Sequence, residues 1–159
     1  MIFVTVGSQF PFDRLVQGMD EWSCNNPEEM VFAQIGKGAY TPRHMEFALR
    51  LSPEEFREKY SIADIVVTHA GMGNILLGIE LKKPLVLMPR FAEKKETRNN
   101  HQVDTVKWLE GKRGIEVAHE IAELDRSIQQ IRSTSLMEMI SEKPSRELIE
   151  TIRDYVNDD

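Results

Sequence analysis

Short apolar runs alternate with amphipathic stretches along most of this chain. Several of the runs are almost continuously apolar, rich in Val and Ile, and show no alternation of apolar and polar positions. Such runs are typical of parallel strands that are covered on both faces. They predict strands over residues 2–6, 30–34, 45–51, 65–68, 85–88 and 115–118.

Helical patterns fill the segments between these runs. Helices are predicted over residues 13–22, 75–82 and 100–110, and a further helix begins at Ser52. Ser52 is a capping residue, and the proline and two glutamates that follow it suit the first turn of a helix. The alternation predicts an α/β fold: a single Rossmann-like, doubly wound parallel sheet in one domain spanning residues 1–159.

The end of the chain predicts one more helix, an amphipathic C-terminal helix over residues 144–156. Its apolar positions fall on one face and are Leu148, Ile149, Ile152, Tyr155 and Val156. Two interpretations are open: this face packs on the chain's own sheet, or part of it docks a partner.

The composition narrows the classes of function. The formal net charge of −6 argues against nucleic-acid binding, which needs a basic face. No apolar run reaches the length of about 18 residues that predicts a membrane-spanning helix. The first residues predict a strand rather than a secretion signal. Cys24 is the only cysteine, so we interpret it as an incidental thiol without a disulfide partner and expect a cytoplasmic location.

Small, polar and basic residues follow the predicted strands. In an open parallel sheet, ligands bind beyond the carboxyl ends of the strands, where such residues converge. These positions are Gly7 with Ser8, residues 36–38, Ser52, residues 69–74, and Arg90 with the loop that ends in residues 99–102. Their convergence on one edge predicts a binding site there.

The segment His69-Ala70-Gly71-Met72-Gly73-Asn74 is the most informative of these. It joins a predicted strand to a predicted helix, and its glycines let the backbone approach a ligand closely. The free N–H groups at a helix start attract negative charge, so the segment predicts a phosphate cradle. For His69 itself, a buried histidine bonded to backbone is the alternative to a functional one.

Several other chemistries fit the sequence poorly. Residues 36–38 lack the eight-residue phosphate-loop pattern, and residues 71–73 lack the full dinucleotide fingerprint with its acidic partner. The four histidines have no paired helical spacing, and Cys24 has no companion, so no metal site is predicted. Ser8 lies outside a Gly-x-Ser-x-Gly elbow, which argues against a serine hydrolase.

The segment from Arg90 to His101 is basic within an acidic chain. It carries Arg90, Lys94, Lys95 and Arg98 against two glutamates. One interpretation is a solvated loop. The other is a lid that closes over a diphosphate and screens its charge.

Four blocks of the sequence resemble the glycosyltransferase family 28 C-terminal domain. They are residues 1–9, residues 69–73, Lys83-Pro84 with Met88-Pro89-Arg90, and Asn100-His101-Gln102. The resemblance extends from Met1 to about Ala118. Within the family, the chain is similar to the small soluble subunits of two-part glycosyltransferases. These include bacterial exopolysaccharide pairs of the PssD/PssE type and the cytosolic half of the enzyme that adds the second N-acetylglucosamine to dolichol-linked glycans.

The resemblance implies a GT-B architecture divided over two chains. This chain corresponds to the C-terminal, donor-binding half, and a membrane-associated partner subunit would hold the lipid-linked acceptor at the cytoplasmic face of the membrane. The implied reaction is inverting, metal-independent transfer of a hexose-type sugar from a UDP-sugar to a polyprenyl-diphosphate-linked acceptor, without a cofactor. The base is expected on the partner, and the chain alone is expected to bind UDP with little or no turnover.

The motifs also imply a set of donor-binding residues. His69 and the backbone at residues 71–74 should meet the diphosphate, Ser52 should border the uracil, and Gln102 with its neighbours should approach the sugar. The complete set is Gly7, Ser8, Ser52, His69, Gly71, Met72, Gly73, Asn74, Glu80, Arg90, Asn100, His101 and Gln102.

One position departs from the family pattern. Many relatives carry an acid that binds the ribose hydroxyls where this chain has Leu77. The nearest acid, Glu80, lies one helical turn later. Either Glu80 takes over the ribose contact or the ribose is held differently.

Two other functions compete with sugar transfer. The chain could be a non-catalytic accessory subunit that binds and stabilises a membrane-associated transferase. A free-standing nucleotide-sugar enzyme such as an epimerase ranks last, because it would need a second domain. Without its partner, a half-enzyme is also expected to self-associate through the surface meant for that partner.

Overall fold

The computed structural model describes residues 1–138, and it has one six-stranded sheet. The strands are β1 (Ile2–Thr5), β2 (Val31–Gln34), β3 (Glu46–Ala48), β4 (Ile65–His69), β5 (Leu85–Met88) and β6 (Ile115–Val117). All neighbouring pairs are parallel, in the order β3-β2-β1-β4-β5-β6. This order confirms the predicted doubly wound α/β fold.

Five helices connect and follow the strands within these residues. They are α1 (Asp13–Asn25), α2 (Pro53–Ile62), α3 (Met72–Glu80), α4 (His101–Leu109) and α5 (Leu124–Glu138), with a short 3₁₀ turn at Ile121–Glu123. None is both long and apolar enough to cross a bilayer. The predicted helix over residues 144–156 lies outside the described residues.

The sheet buries a separate apolar cluster on each face. Successive residues of β1 point to opposite faces, so Val4 joins the cluster with α1 and α5, whereas Phe3 joins the cluster with α2, α3 and α4. Phe3 and Val4 are both fully buried. Because helices cover both faces of the sheet, the strands appear in the sequence as continuous apolar runs.

The direction of winding reverses between β1 and β4. β1 pairs with β2 on one side and with β4 on the other, and Thr5 at the end of β1 lies opposite Thr68 of β4. The connections that leave β1 and β4 diverge from this point, which opens a crevice at the carboxyl edge. The turns that carry Gly7 and Gly71 border that crevice, whereas residues 36–38 do not line it.

Some element boundaries differ from the prediction. β3 covers only three residues, because the segment after it is exposed at the sheet edge, where Leu49 is 56% accessible. α3 begins earlier, at Met72, so Gly73 and Asn74 belong to the helix itself. α5 was not predicted, although Leu124, Ile128 and Ile131 recur at helical spacing and are buried on α1 and the sheet.

Candidate functional site

A cavity of about 380 Å³ opens at the carboxyl ends of β1 and β4. Its wall comes from the turn after β1, the turn into α3, the end of β5 and the start of α4. The lining residues are Val6, Gly7, Ser8, Gln9, Phe10, His69, Gly71, Met72, Gly73, Asn74, Arg90, Thr97 and Gln102. The convergence predicted from residues that lie far apart in the sequence therefore occurs.

The N-terminus of α3 faces this cavity without a side-chain cap. The hydrogen bonds of its first turn begin at the N–H groups of Asn74 and Ile75, which both donate to the carbonyl of Gly71. The N–H groups of Met72 and Gly73 precede that turn and have no acceptor within the helix. Together with the helix dipole, they form a site suited to an anion.

Buried contacts hold the start of α3 in place. The Tyr60 hydroxyl from α2 donates to the carbonyl of Asn74 at 2.6 Å. The Asn74 amide donates to Oγ1 of Thr68 at 2.8 Å, which ties the first helical turn to the end of β4. The N–H groups that face the cavity are therefore fixed before any ligand arrives.

The His69 imidazole lies between two glycines. A Cβ atom at Gly7 would lie 2.6 Å from Cε1 of the ring, and one at Gly71 would lie 2.2 Å from Nε2. Gly7 also has a φ of +75°, which disfavours any other residue there. Both glycines are therefore needed to accommodate the histidine ring.

The environment of His69 keeps its imidazole neutral. Burial, reinforced by the positive charge of Arg90, lowers the pKa of His69 to about 4. Its Nδ1 lies 3.4 Å from Oγ1 of Thr68 and 3.5 Å from Nδ2 of Asn74. At neutral pH the ring can act toward an anion as a hydrogen-bond donor but not as a cation.

A buried polar network lies beneath the cavity, and the sequence analysis did not identify it. Oγ1 of Thr68 donates to the carbonyl of Thr5 at 2.9 Å, and Oγ1 of Thr5 donates to Oε1 of Gln34 at 3.0 Å. The N–H of Gly7 donates to Oγ1 of Thr5 at 3.1 Å, so it is already engaged. The signal in the sequence was a polar residue at or near the end of three of the apolar runs, at Thr5, Gln34 and Thr68.

Arg90 lines the cavity, but its guanidinium forms hydrogen bonds with backbone carbonyls of the chain itself. The guanidinium is almost fully buried and donates to four carbonyls, those of Val6, Phe10, Pro11 and Glu96, at 2.7–2.9 Å. It also lies over the ring of Phe12. Burial lowers its pKa to about 10, which leaves it protonated at neutral pH. Arg90 therefore fixes the turn after β1 and contributes its positive charge from within the wall.

Hydrogen bonds of Glu96 hold the middle of the loop that follows Arg90. The carboxylate of Glu96 accepts two hydrogen bonds from Arg14, at 2.7 and 3.0 Å, and one from the N–H of Phe91. Lys94 pairs with Glu120 at 2.7 Å. The interpretation of the whole loop as a closing lid does not fit a segment held this way, although side chains beyond Glu96 face the cavity.

Four of the predicted donor-binding residues do not line the cavity. Ser52 caps α2: its Oγ accepts from Glu55 N–H at 3.2 Å, while the Glu55 carboxylate accepts from Ser52 N–H at 2.8 Å. Glu80 lies at the opposite end of α3, where it pairs with Arg57 at 2.5 Å in an exposed position. Asn100 accepts from the N–H of Ala92, and His101 is exposed at the start of α4.

The structure brings the other nine predicted residues together and adds four that the predicted set lacks. Val6, Gln9, Phe10 and Thr97 also line the cavity. The last three follow Ser8 and Glu96 in segments without periodicity, where the sequence gives no indication of side-chain direction. No group of three or more His, Cys, Asp or Glu side chains suited to a metal ion occurs within residues 1–138.

The sheet order and the cavity at the reversal of winding define a doubly wound α/β domain with an open carboxyl edge, and solved structures identify its architecture. The chain superposes on the glycotransferase of kitacinnamycin with a TM-score of 0.57 at 22% identity, covering 83% of this chain and 34% of that one. It superposes on the glycosyltransferase SnogD from Streptomyces nogalater with a TM-score of 0.54 at 18% identity, covering 90% and 39%. The fold is thus one half of a GT-B glycosyltransferase.

A family model matches far more of the chain than the four motifs cover. The glycosyltransferase family 28 C-terminal domain matches residues 1–154, beyond the expected limit near Ala118, and the chain belongs to this family. It is similar to the UDP-N-acetylglucosamine transferase subunit ALG13 of Mus musculus, with 32% identity over 117 residues, and to that of Homo sapiens, with 30% over 122. These matches cover 67% and 68% of this chain but 10% of each relative.

Proposed function

We propose that this chain is the UDP-sugar-binding subunit of a two-part glycosyltransferase. The observation that carries the proposal is the uncapped start of α3, which faces the same cavity as the neutral His69 ring. The family and the two relatives, each named as a transferase subunit, support this assignment. In this proposal the diphosphate lies across the N–H groups of Met72 and Gly73, with His69 donating to it.

The reaction is inverting transfer of the sugar to a polyprenyl-diphosphate-linked acceptor in polysaccharide or glycan assembly. Negative charge grows on the UDP leaving group as the glycosidic bond breaks. Fixed donors at the start of α3 and the buried charge of Arg90 stabilise that charge without a metal. Because these groups are already held in place, little reorganisation accompanies bond cleavage.

The acceptor half of the active site lies on a membrane-associated partner subunit. A base must deprotonate the acceptor hydroxyl. Three carboxylates close in sequence to lining residues are engaged elsewhere, since Glu96 binds Arg14, Glu80 binds Arg57, and Asp13 accepts from the backbone of Ala39. A base on the partner is consistent with this arrangement, and the partner would recruit this chain to the cytoplasmic face of the membrane.

The ribose is held without the carboxylate that many family members use. Leu77 packs against the apolar cluster beneath α3, and Glu80 lies almost the full length of α3 away from the cavity. Of the two alternatives left open by the sequence, a different mode of ribose binding is the one that the geometry supports. Gln102 and Ser8 are polar residues in the lining of the cavity.

An accessory subunit and a catalytic subunit predict different effects of a substitution in the cavity. Both functions require the chain to bind a partner, but only catalysis requires the cavity to contact the donor during reaction. In the assembled enzyme, His69→Ala should reduce turnover about 100-fold or more, as is typical when a preorganised donor to developing charge is removed. An accessory role predicts unchanged turnover.

The direct test is calorimetry of the purified chain with UDP, UDP-glucose, UDP-galactose, UDP-N-acetylglucosamine and UDP-glucuronate. We expect UDP to bind, His69→Ala to weaken binding at least about tenfold, and sugar transfer by the chain alone to be weak or absent. Glu80→Gln is the matched control and should leave UDP affinity unchanged, since Glu80 lies outside the cavity. No binding of UDP at millimolar concentration would refute the proposal.

A further inference from the structure

The cavity carries little positive charge that is free to move toward a ligand. His69 is neutral, and the guanidinium of Arg90 is committed to four backbone carbonyls. A nucleoside diphosphate brings two or more negative charges. Hydrogen bonds from backbone N–H groups offset part of that charge, and a mobile cation at the entrance would offset more.

Arg98 is placed to be that cation. Its guanidinium carbon lies 5.7 Å from the centre of the Phe10 ring, and Phe10 lines the cavity. Thr97, the residue before it, also lines the cavity. Arg98 is exposed, and within residues 1–138 no carboxylate forms an ion pair with it, whereas Arg14 pairs with two carboxylates and Arg57 with one.

The loop fixes the backbone near Arg98 while leaving its side chain free to move. Glu96, two residues earlier, is bound by Arg14 and by the N–H of Phe91. A cation–π contact at an exposed site is weak, whereas a guanidinium binds a phosphate through paired, charge-assisted hydrogen bonds. The Arg98 side chain therefore rests on the Phe10 ring, and a phosphate bound in the adjacent cavity would be a stronger partner for it.

We propose that Arg98 swings from the face of Phe10 onto the diphosphate of the bound donor and covers the cavity entrance with its side chain. This inference rests on the proposed function, because it names the residue that senses the phosphates in that same site. Only the Arg98 side chain moves, and the rest of the loop stays in place. In the reaction it adds positive charge next to the departing nucleotide.

The test is the affinity of the full chain for UDP and for uridine, measured by calorimetry at low salt. Arg98→Gln should weaken UDP binding about tenfold and leave uridine binding unchanged, since uridine has no phosphate. Arg98→Lys should keep part of the affinity, because it retains the charge but not the paired geometry. Circular dichroism should show the same fold for all variants, since the side chain is exposed.

Lys95→Gln is the matched control. It removes the same charge from the same loop, and Lys95 is exposed and forms no ion pair within the described residues. We expect its UDP affinity to stay within twofold of the parent chain. If Arg98→Gln binds UDP as the parent does, or if both variants weaken binding equally, the inference is wrong and the proposed function stands. If the parent chain does not bind UDP, both fail together.

Discussion

The imidazole of His69 occupies the space that a side chain at Gly71 would need. A Cβ atom there would lie 2.2 Å from Nε2, well inside the contact distance of the two atoms. The ring cannot retreat to the other side, where a Cβ at Gly7 would already lie 2.6 Å from Cε1. The two glycine turns and the histidine are therefore one structural unit.

This relationship predicts opposite outcomes for two neighbouring glycines. Gly71→Ala should displace the His69 ring and lower the free energy of unfolding by about 1–3 kcal/mol, the usual cost of overpacking. Gly73→Ala should leave that free energy unchanged or raise it by up to about 1 kcal/mol, because its Cβ would meet no atom within 4 Å and alanine favours the helix.

Urea unfolding of the two variants, followed by circular dichroism, measures the difference. Calorimetry with UDP adds a second readout. Displacement of His69 should weaken UDP binding in Gly71→Ala, whereas any loss in Gly73→Ala would reflect contact between the new methyl group and the ligand. Equal stability of the two variants would contradict the packing of His69 between the glycines.

The low pKa of His69 predicts a loss of stability in mild acid. In the unfolded chain the imidazole has its ordinary pKa of about 6.5, whereas in the folded chain its pKa is about 4. Between these values the unfolded state binds the extra proton, so stability falls as the pH falls from about 7 to about 4. The full contribution is about 3 kcal/mol.

The comparison that isolates this contribution is His69→Asn, unfolded in urea at pH 7.5, 6.0 and 4.5. The parent chain should lose most of that free energy over this range, and the variant should lose much less. Asp20 supplies a background present in both chains: its folded pKa is lowered by hydrogen bonds from His44, Tyr40 and Arg43, so its contribution is lost only at more acidic pH. Parallel curves would show that His69 is not buried in its neutral form.

The sheet and the position of the cavity could be predicted because they depend on local patterns. Buried parallel strands give continuous apolar runs, and glycines after two strands indicate where the backbone approaches a ligand. The helix start at Ser52 is equally local, and it forms as expected, with Ser52 as the N-cap of α2. The role of Ser52 in the cavity was expected from the order of the elements and from the family resemblance, and the structure places Ser52 away from the lining.

The arrangement of side chains in the site depends on contacts between segments far apart in the sequence. Glu80 follows Leu77 by three residues, yet the length of α3 carries it away from the cavity to Arg57. Arg90 looks like a phosphate ligand in the sequence, since it follows a strand in a basic loop. Only the fold shows that its guanidinium instead donates to four backbone carbonyls.

The burial of Arg90 predicts that this residue stabilises the fold. Arg90→Met keeps the apolar stem but leaves the carbonyls of Val6, Phe10, Pro11 and Glu96 without their donor. Since a buried polar group that loses its partner retains its desolvation cost, the free energy of unfolding should fall by about 3 kcal/mol or more. Arg98→Met, the same change at an exposed arginine eight residues later, should alter it by less than about 0.5 kcal/mol. Urea unfolding of both variants decides the point, and equal stability would mean that Arg90 does not hold the turn after β1.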